Sequence, residues 1–357
     1  MQTKTRIDFL DVFRFLAILA VVFIHSTSQP VTLLSKDSAF YPFYFILNRG
    51  SQFAVPAFLF LSALVLFYRY YEGWDKETAA VFFRKRLIYI VVPYVIWSFF
   101  YFTALSLVNG GSLTDIGTFL NQLLTGNNYF HLYFVIVMIQ FYALFPLLML
   151  LIKRISFVRS HLIFTGVVLQ SVYWLLNLTV LHIQRTASVA FTYLLFYLLG
   201  ASAGIHFERF MRSLMRYRFY WLAAWMSLGI AAVYMEWPGA FHLPLAADWK
   251  SFIYDLRYYV YVSFSCVGLL IISKSVYDKG EQASLVSLLV SWGTASFAVY
   301  LIHPFVLFAW REFAVATTSP FQFHAATLLS VVMALIVPWL IDLFLRRRKF
   351  TWMLLGK

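Results

Sequence analysis

The chain has 357 residues, of which 62% are hydrophobic and 12% are charged. Water-soluble domains are usually about half apolar and about a quarter charged, so this composition excludes an ordinary soluble protein and predicts an all-α, polytopic membrane protein. The net charge of +13 does not indicate nucleic-acid binding, because the basic residues form short clusters between long apolar runs, as in cytoplasmic membrane loops. The single cysteine, Cys266, excludes an intrachain disulfide.

Ten segments are long and apolar enough to cross a bilayer, since a spanning helix needs roughly 17 to 25 residues. We expect the first to be retained rather than cleaved as a signal peptide, because Asp8 and Asp11 interrupt a basic n-region and no small-x-small site follows it. The chain is predicted to be one transmembrane domain, 1–357, with no soluble domain attached. The ten predicted spans are 10–28, 53–71, 87–108, 131–152, 162–181, 189–206, 220–235, 258–273, 290–310 and 325–345.

The placement of Lys and Arg predicts the orientation of these spans. With the N-terminus inside, most basic residues fall in loops that are then cytoplasmic, and fewer fall in the opposite loops. A miscount by one span would disturb this alternation, so we predict ten spans with both termini cytoplasmic, in the plasma membrane. The basic residues of the predicted outer loops are Lys36, Arg49, Arg185, Lys250, Arg257 and Arg311.

Two long predicted outer connections, 109–130 and 236–257, have a composition that bears on ligand binding. Amides beside aromatic rings suit a sugar ligand, but ordinary polar loops with interfacial aromatics have the same composition, so both interpretations stay open. The first connection contains Asn121, Asn127, Asn128 and Tyr129, and the second contains Trp237 and Trp249.

Arg14 and His25 both lie in the first apolar segment. They are eleven residues apart, almost three helical turns, so they share one face and lie roughly 16 Å apart along the axis. Asp11, one turn before Arg14, is placed to pair with it. Charged groups at membrane depth usually face a cavity or a partner, but both side chains could instead snorkel to the headgroups. A neutral imidazole near its usual pKa of about 6.5 is a suitable general base for a hydroxyl.

Two further histidines lie in or beside predicted spans. His303 follows Tyr300 by one turn and precedes Pro304, which frees a backbone carbonyl and can kink the helix. It is either a packing histidine at a kink or a second polar group in the outer half of the membrane. His131 begins the fourth span at the predicted outer surface, where by itself it is typical of an interfacial residue.

Arg84, Lys85 and Arg86 precede the third span at the predicted cytoplasmic face. They are typical of positive-inside anchoring; the alternative is a clamp for phosphate groups, because guanidinium groups match phosphate geometry. The sequence contains no G-x-x-x-x-G-K-[ST] loop, no Cys/His metal spacing and no G-x-S-x-G elbow, so we expect no metal.

Taken together, five segments resemble the acyltransferase 3 family of membrane-bound acyltransferases. They occur in order from the first span to the ninth, so the resemblance covers nearly the whole chain. The departures are Ala63, where the family often has Gly, and Tyr89, where a further Arg often follows the basic cluster. The matching segments are Arg14 to His25, similar to the Arg-x10-His signature; 57–63, similar to Phe-Phe-x-Leu-Ser-Gly; 83–87 with Pro93, similar to the basic entry to the third helix; 131–134, similar to His-Leu-Trp-Phe; and 296–303, similar to Ser-Phe-x-x-Tyr-Leu-x-His.

This resemblance implies an acyl-coenzyme A-dependent O-acyltransferase, commonly using acetyl-coenzyme A and an acceptor hydroxyl on an envelope glycan. It implies that His25 acts as the catalytic base. Arg14 with the three basic residues of 84–86 would bind the donor. Tyr300, His303 and His131 would be candidates for orienting the acceptor or stabilising an oxyanion.

Two other functions remain open on the sequence alone. Ten helices with buried charges also fit an exporter of glycans or lipid-linked glycans, although no inverted repeat is visible. A small-molecule membrane acyltransferase without an envelope role is the third possibility. Acyl turnover by the purified protein would distinguish an enzyme from a glycan exporter.

Overall fold

The computed structural model describes residues 6–110, 115–239, 247–280, 283–314 and 319–356. Within these ranges the regular secondary structure is entirely helical and no strand occurs, which confirms the predicted all-α class. The helices form two compact units, each drawn from separate parts of the chain. We call them the His25 unit, Thr5–Leu61 with His206–Asp342, and the His131 unit, Ser62–Ile205 with Leu343–Lys357.

The helices are numbered here in chain order. Two π-helical turns, Leu87–Val91 and Asn177–Leu181, and two 3₁₀ turns, Thr186–Ser188 and Ala190–Tyr193, join or extend them. The α-helices are α1 Phe9–Leu33, α2 Tyr41–Gly50, α3 Ala54–Tyr70, α4 Lys76–Arg86, α5 Val92–Asn109, α6 Ile116–Thr125, α7 Tyr133–Arg154, α8 Ser156–Ser160, α9 Leu162–Leu176, α10 Leu194–Ile205, α11 Phe207–Arg216, α12 Arg218–Glu236, α13 Ala247–Gly280, α14 Ser284–Thr294, α15 Ser296–Ala314, α16 Pro320–Leu345 and α17 Thr351–Leu355.

Among the described residues, seven helices are long and apolar enough to cross a membrane, and up to nine spans result if each of two bent pairs counts as one. One such pair, α14 with α15, bends by 72°. The seventh predicted span, 220–235, forms helix α12, which is less apolar than these and is not counted among them. Its Trp and Tyr residues and its terminal charges, Arg218 and Glu236, lower its mean hydropathy. The count of ten and the orientation therefore stay predictions.

Helix α1 is the centre of the His25 unit and packs against α2, α13, α14 and α15. Its apolar residues are buried on several sides, as expected for a helix that is apolar around most of its circumference. Phe13 stacks on Phe60 with ring centroids 6.1 Å apart, and Phe15 stacks on Trp292 at 5.1 Å. This enclosure keeps polar residues of α1 inside the protein.

Gly293 sets the distance between α14 and the start of α1. A Cβ atom at Gly293 would lie 1.8 Å from the carbonyl oxygen of Asp11 and 2.5 Å from its carbonyl carbon. Because a real Cβ contact is never this short, only glycine permits the two backbones to approach so closely. The α14 backbone thus packs directly against the turn that carries Asp11.

Aromatic packing dominates the core of the His131 unit. Phe82 of α4 stacks on Phe145 of α7 at 5.2 Å, and Trp74 meets the same ring edge-on at 4.9 Å. Phe141 stacks on Tyr197 of α10 with centroids 4.0 Å apart. Rings in stacked and edge-to-face contact add to the energy of burial, so these contacts fix α4, α7 and α10 against one another.

Both long predicted connections contain more helix than the sequence pattern indicated. The first includes α6, whose apolar residues Ile116, Leu120 and Leu124 recur every four positions and are 67%, 48% and 76% exposed. The second is helical from Ala247, and Arg257 in this helix pairs with Glu236 at 2.5 Å and donates to the carbonyl of Ala232 at 2.7 Å. Residues 111–114 and 240–246 of these connections lie outside the described residues.

The predicted orientation is tested at Asn121, which is exposed on α6. In a Cys266→Ala background, which removes the only native thiol, an Asn121→Cys protein should react with a membrane-impermeant thiol reagent on intact cells. A cysteine at Arg84, on the predicted cytoplasmic side, is the matched control and should react only after permeabilisation. The reverse pattern would overturn the orientation.

Candidate active site

His25 meets a second histidine inside the His25 unit. Its ring centroid lies 5.4 Å from that of His303 on α15, with the ring planes tilted by 31°. The two residues are far apart in sequence and come together because α15 packs on α1. A half-buried imidazole therefore stands beside a fully buried one inside this unit.

The tautomer of His303 follows from its backbone contact. Its Nδ1 lies 2.8 Å from the carbonyl oxygen of Val299, and a carbonyl can only accept, so Nδ1 carries the proton. Nε2 of the neutral ring is then the acceptor nitrogen. Pro304 follows within α15 and has no N–H to donate to the carbonyl of Tyr300, whose side chain is also buried.

Arg311 holds the turn of α1 that carries His25. One guanidinium nitrogen, Nη2, donates to the His25 carbonyl at 2.6 Å and to Oγ of Ser28 at 3.2 Å. The Ser28 hydroxyl donates to the same carbonyl at 2.8 Å. Arg311 was predicted to lie in an outer loop, and this is wrong: it lies within α15. Arg311 follows Tyr300 by eleven residues, the same spacing as from Arg14 to His25. This spacing could have indicated that Arg311 and Tyr300 share one face of a helix.

Asn48 of α2 holds the same turn from another helix. Its Nδ2 donates to the carbonyl of Ile24 at 2.9 Å and to Oγ1 of Thr27 at 3.1 Å. Two side chains from two different helices thus bond the backbone and hydroxyls of one turn. A side chain on a turn fixed in this way keeps its position during a reaction, which is what a catalytic group requires.

Arg14 is fixed by the pairing that its sequence spacing predicts. Its Nη1 bonds the carboxylate of Asp11, and Arg6 bonds the other oxygen of the same carboxylate. Asp11 is 1% exposed, while the Arg14 side chain remains 32% exposed. Arg6 also pairs with Asp8 at 3.2 Å, so two arginines and two carboxylates meet at the start of α1, at the end opposite to His25, where Arg14 stays partly exposed.

The three basic residues that precede the third predicted span differ in their surroundings. Arg84 and Lys85 are exposed at the end of α4. Arg86 is half-buried, and its guanidinium lies over the rings of Phe82 at 4.8 Å and Tyr142 at 5.0 Å. Such cation–π contacts stabilise the packing of α4 on α7. Arg84 and Lys85 therefore present open charge, while Arg86 also holds the unit together.

His131 lies in the other unit, directly before α7. It is 3% exposed rather than interfacial, with its ring 5.1 Å from that of Tyr101 and 5.7 Å from that of Tyr129. Tyr101 and Tyr129 stack on each other at 4.5 Å. The sequence could not predict this burial, because it depends on α5 supplying Tyr101.

The acyltransferase 3 family model, described as an acyltransferase domain, matches residues 7–343. The chain belongs to this family. The match confirms the resemblance drawn from five short motifs, and it includes every candidate residue of both units. Together with the apolar helices, it shows a multi-pass membrane acyltransferase.

Curated relatives of this acyltransferase come from Staphylococcus aureus. The probable poly-β-1,6-N-acetyl-D-glucosamine export proteins of strains MW2 and Mu50 are each 24% identical to this chain over 310 residues. The alignment covers 84% of this chain and 80% of each relative. No solved structure shows a significant match.

Proposed function

We propose that this acyltransferase transfers an acyl group, acetyl in the first instance, from cytoplasmic acyl-coenzyme A to a hydroxyl of a cell-envelope polysaccharide or its precursor. The proposal rests on one observation above all: His25 stands beside His303 on a turn that Arg311 and Asn48 hold rigidly. Family membership supplies the class of reaction, and the buried histidine pair supplies groups suited to it.

The chemistry assigned to His25 is general base catalysis. Its imidazole takes the proton of the acceptor hydroxyl as the oxygen attacks the thioester carbonyl. The tetrahedral intermediate collapses with cleavage of the C–S bond, and the thiolate leaves with the proton returned by the imidazolium. His303 and Tyr300, buried in the same unit, are the candidates to orient the acceptor or to stabilise the developing oxyanion.

The donor site is proposed at the basic residues of the predicted cytoplasmic side. Arg14 lies at the start of α1, and its helix leads toward His25 about 16 Å further along the axis. Arg84 and Lys85 are exposed and suit the phosphate groups of coenzyme A. Coenzyme A is a substrate in this scheme, and no metal takes part in it.

Variants of the basic cluster should separate donor binding from folding. Arg84→Ala and Lys85→Ala should raise KM for acetyl-coenzyme A several-fold while kcat and Tm stay near wild type, because exposed charges contribute mainly to binding. Arg86→Ala should lower Tm, since its guanidinium packs on two rings and such contacts contribute about 0.5–2 kcal/mol. Steady-state kinetics of the purified proteins measure KM and kcat, and thermal unfolding measures Tm. Unchanged KM in the first two variants would remove them from the donor site.

Arg311 should matter for turnover although it is not assigned to contact either substrate. Arg311→Leu removes the bonds to the His25 turn, so we expect kcat to fall about tenfold with little change in KM for the donor. Loss of bonds from a charged group also lowers the unfolding free energy by about 1.5–3 kcal/mol. Arg185→Leu, at an exposed arginine, is the matched control and should change neither quantity. Wild-type kcat in Arg311→Leu would show that this turn needs no such support.

The acceptor assignment draws on the relatives, whose printed name refers to poly-β-1,6-N-acetyl-D-glucosamine export. That name also keeps glycan export as a second candidate function. The deciding experiment uses full-length protein in lipid vesicles with acetyl-coenzyme A and β-1,6-linked N-acetylglucosamine oligomers. Release of free coenzyme A together with a mass gain of one acetyl group on the oligomer supports transfer. Movement of unmodified oligomer across the vesicle membrane without thioester turnover would replace transfer by export.

A further inference from the structure

Asn128 is a buried amide that the protein does not use for its own hydrogen bonding. The residue is 1% exposed, and neither Oδ1 nor Nδ2 has a hydrogen-bond partner among the residues that the structure describes. Buried polar groups in proteins are nearly always bonded, so one left without a partner indicates a bound molecule at that place. Both atoms of the amide show this, which makes the signal stronger than a single orphaned hydroxyl.

The segment around Asn128 is rigid without the help of its side chain. Gly126 adopts a left-handed conformation with φ of 72°, and a Cβ there would lie 2.6 Å from Cα of Tyr133, so the turn is packed against α7. The Asn127 N–H donates to the carbonyl of Gln122 at 2.8 Å. Backbone contacts thus hold Asn128 in place and leave its amide for another role.

A second buried asparagine shows what a structural amide looks like in the same protein. Asn48 is 6% exposed, and its Nδ2 donates to Ile24 and Thr27 while its Oδ1 accepts from Gln52 at 3.5 Å. Asn48 therefore uses both of its polar atoms within the fold. Asn128 is even less exposed, at 1%, and makes none of these bonds among the described residues.

The chemistry of the missing partner follows from the carboxamide. An asparagine presents N–H donors and a carbonyl acceptor side by side in one plane. A secondary amide presents the complementary pair, one N–H and one C=O, whereas an anion offers no donor and an apolar group offers neither. The buried His131 lies three residues further on, which places a second buried polar side chain in the same segment.

We propose that Asn128 is a binding residue for a substrate amide. This deepens the proposed function and rests on it for the choice of substrates. Two substrates of that reaction carry secondary amides: the pantetheine arm of acyl-coenzyme A, and the N-acetyl group of an N-acetylhexosamine acceptor. The recognition chemistry is the same for both, and their binding can be measured separately.

The test variant is Asn128→Leu, which keeps the shape of the side chain and removes its polar atoms. In full-length protein in lipid discs, we expect the affinity for the amide-bearing substrate to fall about tenfold or more, since a site built for hydrogen bonds loses them. The Tm of the ligand-free variant should stay unchanged or rise, because an unbonded buried amide is removed. Asn127→Ala, at the exposed neighbour, is the matched control and should leave affinity and Tm near wild type.

Three probes distinguish the sources. Weaker binding of acetyl-coenzyme A alone assigns the amide to the donor. Weaker binding of a β-1,6-linked N-acetylglucosamine oligomer, with loss of preference over its de-N-acetylated form, assigns it to the acceptor. Unchanged affinity of Asn128→Leu for all three probes would overturn the proposal. A lowered Tm of the ligand-free variant would also overturn it, with or without weaker binding, because Asn128 would then have a structural role such as bonding a buried water. Binding is measured without turnover, so this test can still be carried out if the protein does not transfer acyl groups.

Discussion

Replacing His25 with glutamine should abolish acyl transfer while leaving the protein folded. Glutamine keeps the polarity of the side chain and loses only its ability to take a proton at neutral pH. A positioned general base contributes about 10² to 10⁴-fold to the rate, so we expect kcat to fall by that factor with little change in KM for acetyl-coenzyme A. The rate at which free coenzyme A is released in the presence of acceptor measures both kcat and KM.

The control for this variant is His161→Gln, at an exposed histidine whose Nδ1 lies 3.2 Å from the carbonyl oxygen of Phe157 in α8, and it should transfer at the wild-type rate. His303→Gln is informative in addition. Because His303 is fully buried and its Nδ1 proton faces the Val299 carbonyl, its loss should lower kcat less than the loss of His25 if it only orients the acceptor. A folded His25→Gln protein with wild-type turnover would remove the general-base assignment.

Replacing Gly293 with alanine should have the largest effect on stability. The added Cβ would lie 1.8 Å from the Asp11 carbonyl oxygen, and the obstacle is helix backbone, which cannot rotate away as a side chain would. Overpacking in a close-packed interior usually costs about 1–3 kcal/mol, and backbone-to-backbone overlap lies at or above the upper end. Because α14 rests on the turn that carries Asp11, the Arg14 site should be disturbed as well.

Thermal unfolding and the yield of monodisperse protein check this result. Gly117→Ala is the matched control: a Cβ there would meet Asp115 Oδ1 at an ordinary 3.6 Å, and alanine favours a helix over glycine by about 1 kcal/mol. We therefore expect Gly117→Ala to keep or raise Tm. A Gly293→Ala protein with wild-type Tm would mean that α1 and α14 do not approach so closely.

The sequence by itself determined what depends on composition and on spacing within one helix. The all-α membrane class followed from apolar runs, and family membership followed from five motifs in order. The pairing of Asp11 with Arg14 was predictable because residues three apart in a helix must share a face. It did not identify α6, although Ile116, Leu120 and Leu124 show a helical period.

Only the tertiary structure decided which residues from different helices meet. His303 lies beside His25. Arg311, predicted to lie in a loop, donates to the backbone of the His25 turn. His131 is buried next to Tyr101. In a soluble protein, hydrophobic periodicity indicates which helix face points inward. In a membrane helix, lipid-facing and core-facing positions are both apolar, so periodicity cannot give the rotation of one helix against another. Contacts such as His25 with His303 depend on that rotation, and packing alone sets it.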